Sequence, residues 1–297
     1  MIASQIGRMK SASGGVSPPA TLTVNITTDK TDYNLFTAAG SPGTAKTVVV
    51  NISSGVYIRA SSTSNNAFDE GNGWATGTTI TINNSGNIIG MGGAGGAGGN
   101  SSVSNPSPPY GATVAGNNGS AGGTALRLTA PTSIANAAGA IFGGGGGGGG
   151  AGGVFLLLAG EEDSFEASYG GGGGGGGQGA NSASAGAGGV GYLPTNPVWE
   201  FDGSAGSSGS SSPGSGGAGG SSNSAGYIYT IGSGGAGGAY GDAGNTGGTP
   251  SVPPDYTYYG IATPGIGGNP GRSVNTNGQS LTWLSGNVPS RVKGPQY

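Results

Sequence analysis

Between Thr21 and Ile89, apolar and polar positions alternate in the manner of strands. TLTVNITT sets Leu22, Val24 and Ile26 against polar neighbours, the period of two expected of a half-buried strand. In DYNLFTAAG, Asp32 is the expected N-cap of a short apolar turn and Gly40 its stop. KTVVVNISSGVYIRAS carries two β-branched runs about SSG, most simply a hairpin. TTITINNSGNIIG alternates Ile80 and Ile82 before Asn84 to Gly86 turns the chain. These patterns predict a small β module over 21–89, the part of the chain with a conventional side-chain core. Residues 1–20, polar and ending in SPP, read as a leader, either a loose end or an attachment peptide that orders on docking.

At Gly90 the period changes from two to three. GMGGAGGAGGN repeats Gly-Gly-Ala, and the spacing returns at 216–220 and 234–239. Three residues per turn is the repeat of an extended polyproline-II-type helix, which has no internal hydrogen bonds and must direct its backbone donors and acceptors to neighbours. With glycine facing inward, such helices can lie close enough to bond to one another, as polyglycine II. Ordering glycine costs the most backbone entropy of any residue, so a lone run cannot hold this form and a bundle is required. Candidate segments are 90–99, 111–125, 139–153, 170–179, 186–191, 204–220, 226–249 and 265–271. The links at 126–138, 180–185 and 221–225 look plain, the first of them a strand plus turn; those at 100–110, 154–169, 192–203 and 250–264 are elaborate. If neighbouring segments run antiparallel, alternate links share an end, and all four elaborate ones fall at the same end. The predicted class is therefore mainly β and irregular: a small N-terminal β module at 21–89, a bundle of packed polyglycine II helices with distal loops at 90–271, and a strand and tail at 272–297 packing back.

Composition narrows the chemistry. Of 297 residues 73 are Gly and 7% are charged, yet 21 are aromatic, which fits a solid with little side-chain core better than a disordered chain. Without Cys or His, thiol nucleophiles, imidazole bases, Cys/His zinc sites and disulfides are excluded. All nine Lys and Arg lie at 8–127 or 272–293, while 128–271 holds eight acids, which argues against nucleic acid or an anionic membrane as partner of the glycine-rich part. The longest aliphatic run, 154–158, is too short for membrane insertion. Residues 1–17 lack the apolar core of a signal peptide, and a virion component, made inside a cell and used outside it, fits both facts.

With this organisation the chain resembles the glycine-rich adhesins at the tips of the long tail fibres of some T-even-type phages. NNSGNIIGMGGAGG at 83–96 is similar to the Asn-Gly entry of a wider set of phage tail proteins, and SLTWLSGNVPSRVKG at 280–294 is similar to their Thr-Trp-Leu-x-Gly endings. The resemblance implies a monomeric polyglycine II sandwich whose distal loops bind a receptor. The N-terminal module departs from that pattern and leaves attachment and a monomer or homotrimer open.

The loop residues with contact chemistry follow from composition. Phe155, Leu156, Leu157, Leu158, Phe165 and Tyr169 form an apolar insert beside Glu161, Glu162, Asp163 and Glu166, suited either to contact or to packing on the bundle end. Tyr192, Trp199 and Phe201, and Tyr256, Tyr258 and Tyr259, give the aromatic enrichment typical of binding loops, and Tyr110 is a further member. The acids at 161–166 lack EF-hand spacing, so no metal, cofactor or catalytic residue is expected. Trp283 and Leu284 are expected to pack structurally. The expected partners are a host outer-surface protein or glycan, met by the loops outside the cell at the distal end of the tail, and other phage tail proteins, met through residues 1–89. The alternatives are a structural tail or capsid decoration protein and an ice-binding protein.

Overall fold

The computed structural model describes residues 18–104, 110–157, 166–192, 200–212, 214–216, 219, 221–224, 227–250 and 258–297. It is mainly β, and among the described residues the helix Leu35–Ala38 is the only one. None there is long and apolar enough to cross a membrane.

The β-branched runs wind into successive courses on three sheets, every pairing parallel. The first sheet orders Ala20–Ile26, Lys46–Ile52, Thr79–Asn84, Thr132–Ala135 and Leu281–Ser285. The second orders Lys30–Thr31, Tyr57–Arg59, Asn87–Ile89, Ala140–Phe142 and Val292–Lys293. The third orders Tyr33–Asn34, Phe68–Asp69, Leu126–Arg127 and Val274–Asn275, with Gln296 bridging to Val274. Inward positions of all three form one core that includes Val50, Ile82, Ile134, Ile58, Ile88, Ile141, Phe68 and Leu126. Outside, Asn51 donates to Asn25 and Asn83 to Asn51, each at 2.9 Å, a ladder that pins the register of three courses.

Two local expectations are corrected. Lys46–Ile52 and Tyr57–Arg59 do not pair as a hairpin. Val48, Val50, Ile52, Val56 and Ile58 are all buried in one core, so the chain turns a corner at Gly55, φ +79°, and each strand pairs with its equivalent one course away. The helix is capped by Asn34, which accepts from the Thr37 N–H at 3.0 Å, and not by Asp32. Asp32 sits at φ +48° and accepts from the Ser61 N–H at 2.8 Å, tying the first course to the second. The stretch expected as a strand and turn at 126–138 supplies strands to all three sheets, with Ala140–Phe142.

The glycine-rich parts are two excursions from this core. They leave after Ile89 and Phe142, at the ends of second-sheet strands, and return to Leu126–Arg127 and Val274–Asn275 on the third sheet. Among the described residues ten extended segments run alternately away from and toward the core: 90–99, 114–124, 143–153, 170–179, 183–190, 202–209, 214–216 with 219, 231–240, 242–249 and 262–271. The expected 204–220 and 226–249 each split in two; the second turns at Tyr240–Gly241, where Gly241 has φ +72°.

Bonds between segments recur every third residue, as in Gly145, Gly148 and Ala151 donating to Gln178, Gly175 and Gly172 at 2.8–2.9 Å. Segment 143–153 exchanges such bonds with six neighbours, and so does 170–179. The other eight ring them, which gives three layers of three, four and three segments. The two octaglycine runs are thus the two central segments. In the first, a Cβ at Gly145 or Gly148 would meet the segment 231–240, one at Gly146 or Gly149 the segment 262–271, and one at Gly147 or Gly150 the segment 90–99. No row of residues is left for a side chain. Segment 90–99 lies on the rim, and its outward row is Met91, Ala94 and Ala97, each partly exposed. This geometry is the physical reason for the Gly-Gly-Ala spacing there.

Candidate functional site

Alternation of direction places the described parts of five connections at the end of the glycine segments away from the β core: 100–104 with 110–113, 154–157 with 166–169, 191–192 with 200–201, 221–224 with 227–230, and 250 with 258–261. Their described parts leave the bundle as strands. Val154–Leu157 pairs antiparallel with Glu166–Tyr169 and with Tyr258–Ile261, and Glu166–Tyr169 pairs parallel with Glu200–Phe201. Three of the four elaborate connections therefore share one four-stranded sheet. Ser101–Ser104 pairs antiparallel with Tyr110–Thr113 and parallel with Gly191–Tyr192, which joins the remaining connection to the third.

Polar bonds lock the two sheets together at their roots. The buried hydroxyls of Ser101 and Ser168 lie 2.8 Å apart, and Ser101 also bonds to the Tyr169 carbonyl at 2.8 Å. Asn100 accepts from the Val190 N–H at 2.8 Å, and Asp202 from the Gly191 N–H at 3.1 Å. Tyr169 is fully buried, its ring stacked on Phe201 at 5.0 Å between centroids and 15° between planes. Gly260 lies opposite Phe155 in the register, and a Cβ there would run into the Phe155 ring. A shallow cleft of about 300 Å³ opens beside these roots among Asn100, Ser101, Ser102, Ala112, Val114 and Val190. Val114 and Val190 are about half exposed, at 54% and 50%.

The sequence candidates divide accordingly. Phe155 and Phe201 are half-buried and Tyr169 is wholly buried, so these three stand at the roots of the connections. Leu156, Leu157, Tyr110, Tyr192, Tyr258 and Tyr259 lie on the strands, Leu156 opposite Tyr259 and Leu157 opposite Tyr258. Leu158, Phe165, Trp199 and Tyr256 fall outside the described residues, as do Glu161, Glu162 and Asp163. Sequence reasoning treated 221–225 as a plain link. The structure instead has a hairpin of Ser221–Ser224 with Tyr227–Thr230 at this end, and the alternation in YIYT is the signal that could have found it. Among the described residues no group of three or more acids could hold a metal ion.

A family model described as phage tail fibre adhesin Gp38 matches residues 21–296. The gp37–gp38 adhesin tip complex of the bacteriophage S16 long tail fibre is a similar solved structure, with 21% sequence identity over 93% of this chain and 82% of that one and a TM-score of 0.47. No curated protein matches the sequence.

Proposed function

The chain belongs to the phage tail fibre adhesin Gp38 family, and from that premise we propose that its five far-end connections form the surface that meets the host receptor. The observation that carries this reading is that alternate connections of an antiparallel glycine bundle gather at one end, where four of the five interlock as sheets. Phe155, Leu156, Leu157, Leu158, Phe165, Tyr192, Trp199, Phe201, Tyr256, Tyr258, Tyr259 and Tyr110 supply apolar and aromatic contact area, and Tyr169 supports them from below. The ten glycine segments act as polyglycine II helices; their three-residue hydrogen-bond period and close backbone approach support that assignment. Preordered connections lose little entropy on binding, so a rigid scaffold favours affinity. The protein binds rather than catalyses, and it acts outside the cell on a host outer-surface protein or glycan.

Residues 1–89 attach the protein to other tail components. Among the described residues Ala20–Ile26 is an edge strand, with Leu22 and Val24 half-exposed, and a parallel edge of this kind is a template for a further course of strand.

The test replaces residues 193–199 and 251–257 with glycine-serine linkers of equal length and measures adsorption of purified protein to host cells. Adsorption is expected to be lost while the melting temperature stays unchanged. Adsorption equal to wild type would refute the far-end reading.

A further inference from the structure

A second cleft, of about 540 Å³, lies where the glycine segments meet the second sheet, at the opposite end from the five connections. Tyr57, Arg59 and Tyr240 form its aromatic and cationic walls, and Asn181, Ser182 and Ser210 its polar rim. Its volume is within the range of small-ligand sites, about 300–1,000 Å³.

Both aromatic platforms are held by fixed partners. The Arg59 guanidinium covers one face of Tyr57 at 4.3 Å from the ring centroid and is itself fixed by Asp29 at 2.9 Å. Tyr240 stacks on Phe142 at 5.0 Å and 28°, and its N–H donates to the Gln178 side chain at 3.1 Å. The Lys293 ammonium lies over the Phe142 ring at 5.4 Å. Asn181 is anchored by donating to the Ala60 carbonyl at 3.0 Å, so the turn that carries Ser182 is fixed to the sheet. The hydroxyls of Tyr57, Tyr240, Ser182 and Ser210 bond to no protein group among the described residues. Two flat rings held by fixed partners, a rim of free hydroxyls and an arginine neutralised by Asp29 match the chemistry of a pyranose, with C–H faces to stack and hydroxyls to pair. The charged residue that lines the cleft, Arg59, is paired with Asp29, which favours a neutral sugar over an acidic one.

We infer that this cleft binds one or two neutral hexose units of a surface oligosaccharide, at a site separate from the far-end connections. The test uses full-length protein on a printed array of neutral bacterial envelope oligosaccharides. Wild type is expected to bind at least one of them, and Tyr57→Ala and Ser210→Arg each to weaken that signal about tenfold, the equivalent of one lost stacking or steric block. Both residues are exposed, and Ser210→Arg fills the cleft without removing a packed ring, so it keeps the test valid if Tyr57→Ala lowers stability. The glycine-serine variant of the far-end connections is expected to retain the array signal even where it loses host adsorption. The inference is overturned if wild type binds no array member, if both cleft variants bind as wild type, or if only the far-end variant loses the signal.

Discussion

Gly147→Ala tests whether the glycine segments are a packed framework. Gly147 lies mid-way along the first octaglycine run, and its added methyl would fall well inside the contact distance of the Ala94 carbonyl oxygen and 2.9 Å from that of Gly93. Both obstacles are backbone, so segment 90–99 as a whole must retreat, by on the order of 1 Å, before the contact becomes ordinary. That shift carries its 2.8 Å bonds beyond the usual hydrogen-bond limit of about 3.2 Å. The bonds at stake are Gly93 to Gly145, Gly96 to Gly148 and Ser120 to Ala94. Each is worth about 1 kcal/mol net, and a buried group left unpaired adds about 1–3 kcal/mol, so the expected loss runs from about 3 kcal/mol for the three bonds alone to about 6 kcal/mol with one group left unpaired. At about 2–4 °C per kcal/mol, the melting temperature should fall by roughly 6–24 °C in a thermal scan followed by circular dichroism. The matched control is Gly43→Ala, exposed, with nothing within 4 Å of the added methyl. There the same substitution should be neutral or stabilise by up to about 1 kcal/mol through the unfolded chain. If Gly147→Ala melts with the control, the segments are not close-packed and the framework argument fails.

Glu70 predicts a pH dependence of stability. Its side chain is wholly buried, and that burial pushes the carboxyl up from 4.5 to about 7 despite hydrogen bonds from Thr132, Thr129 and Ala130, with the Asp69 charge raising it further. The folded state keeps this proton over a window in which the unfolded chain has released it, so stability should decline as pH rises from about 4.5 to 7, by on the order of 3 kcal/mol. Glu70→Gln can accept the two N–H donors and donate to Thr132, so it should remove this slope in urea titrations; an unchanged slope would assign it to other groups. Asn51→Ala breaks two rungs of the asparagine ladder and should cost about 1–2 kcal/mol in the same titrations, whereas no change would mean that the core alone sets the register.

The β elements were legible at the level of single strands, because Leu22 to Ile26 and Ile80 to Ile82 carry a plain period of two. Their pairing was not. Lys46–Ile52 and Tyr57–Arg59 sit close in sequence about a glycine, which looks like a hairpin, and only the long-range pairing of Val50 with Ile82 and of Ile58 with Ile88 shows otherwise. The period of three was legible in Ala94 and Ala97, but the count of segments was not, since the turn at Tyr240–Gly241 has neither proline nor a polar run to mark it. Parity still brought the four elaborate connections to one end because the two missed turns cancel, and the link between those turns, 221–225, is the one it assigned to the wrong end. The contacts that interlock them, Ser101 with Ser168 and Phe155 across Gly260, join residues far apart in the chain whose pairing no sequence pattern marks.

A scaffold of this kind separates stability from recognition in an unusual way. A side-chain core couples every buried position to its neighbours through volume, so changes at a binding surface reach inward. Here cohesion between segments comes from backbone bonds such as Gly148 to Gly175 and Gly150 to Asn117, which are indifferent to the side chains of the connections. The coupling that remains lies at the roots, where three connections share one sheet and Val154, Tyr169 and Ile261 stand in register. A substitution at a root, such as Gly260→Ala, disturbs two connections at once because the Phe155 ring lies across the register. An exchange of residues beyond the roots leaves every one of those bonds in place. Variation in what the protein recognises should therefore be tolerated between the roots and resisted at them, which is the division that a receptor-binding protein under pressure to change its target requires.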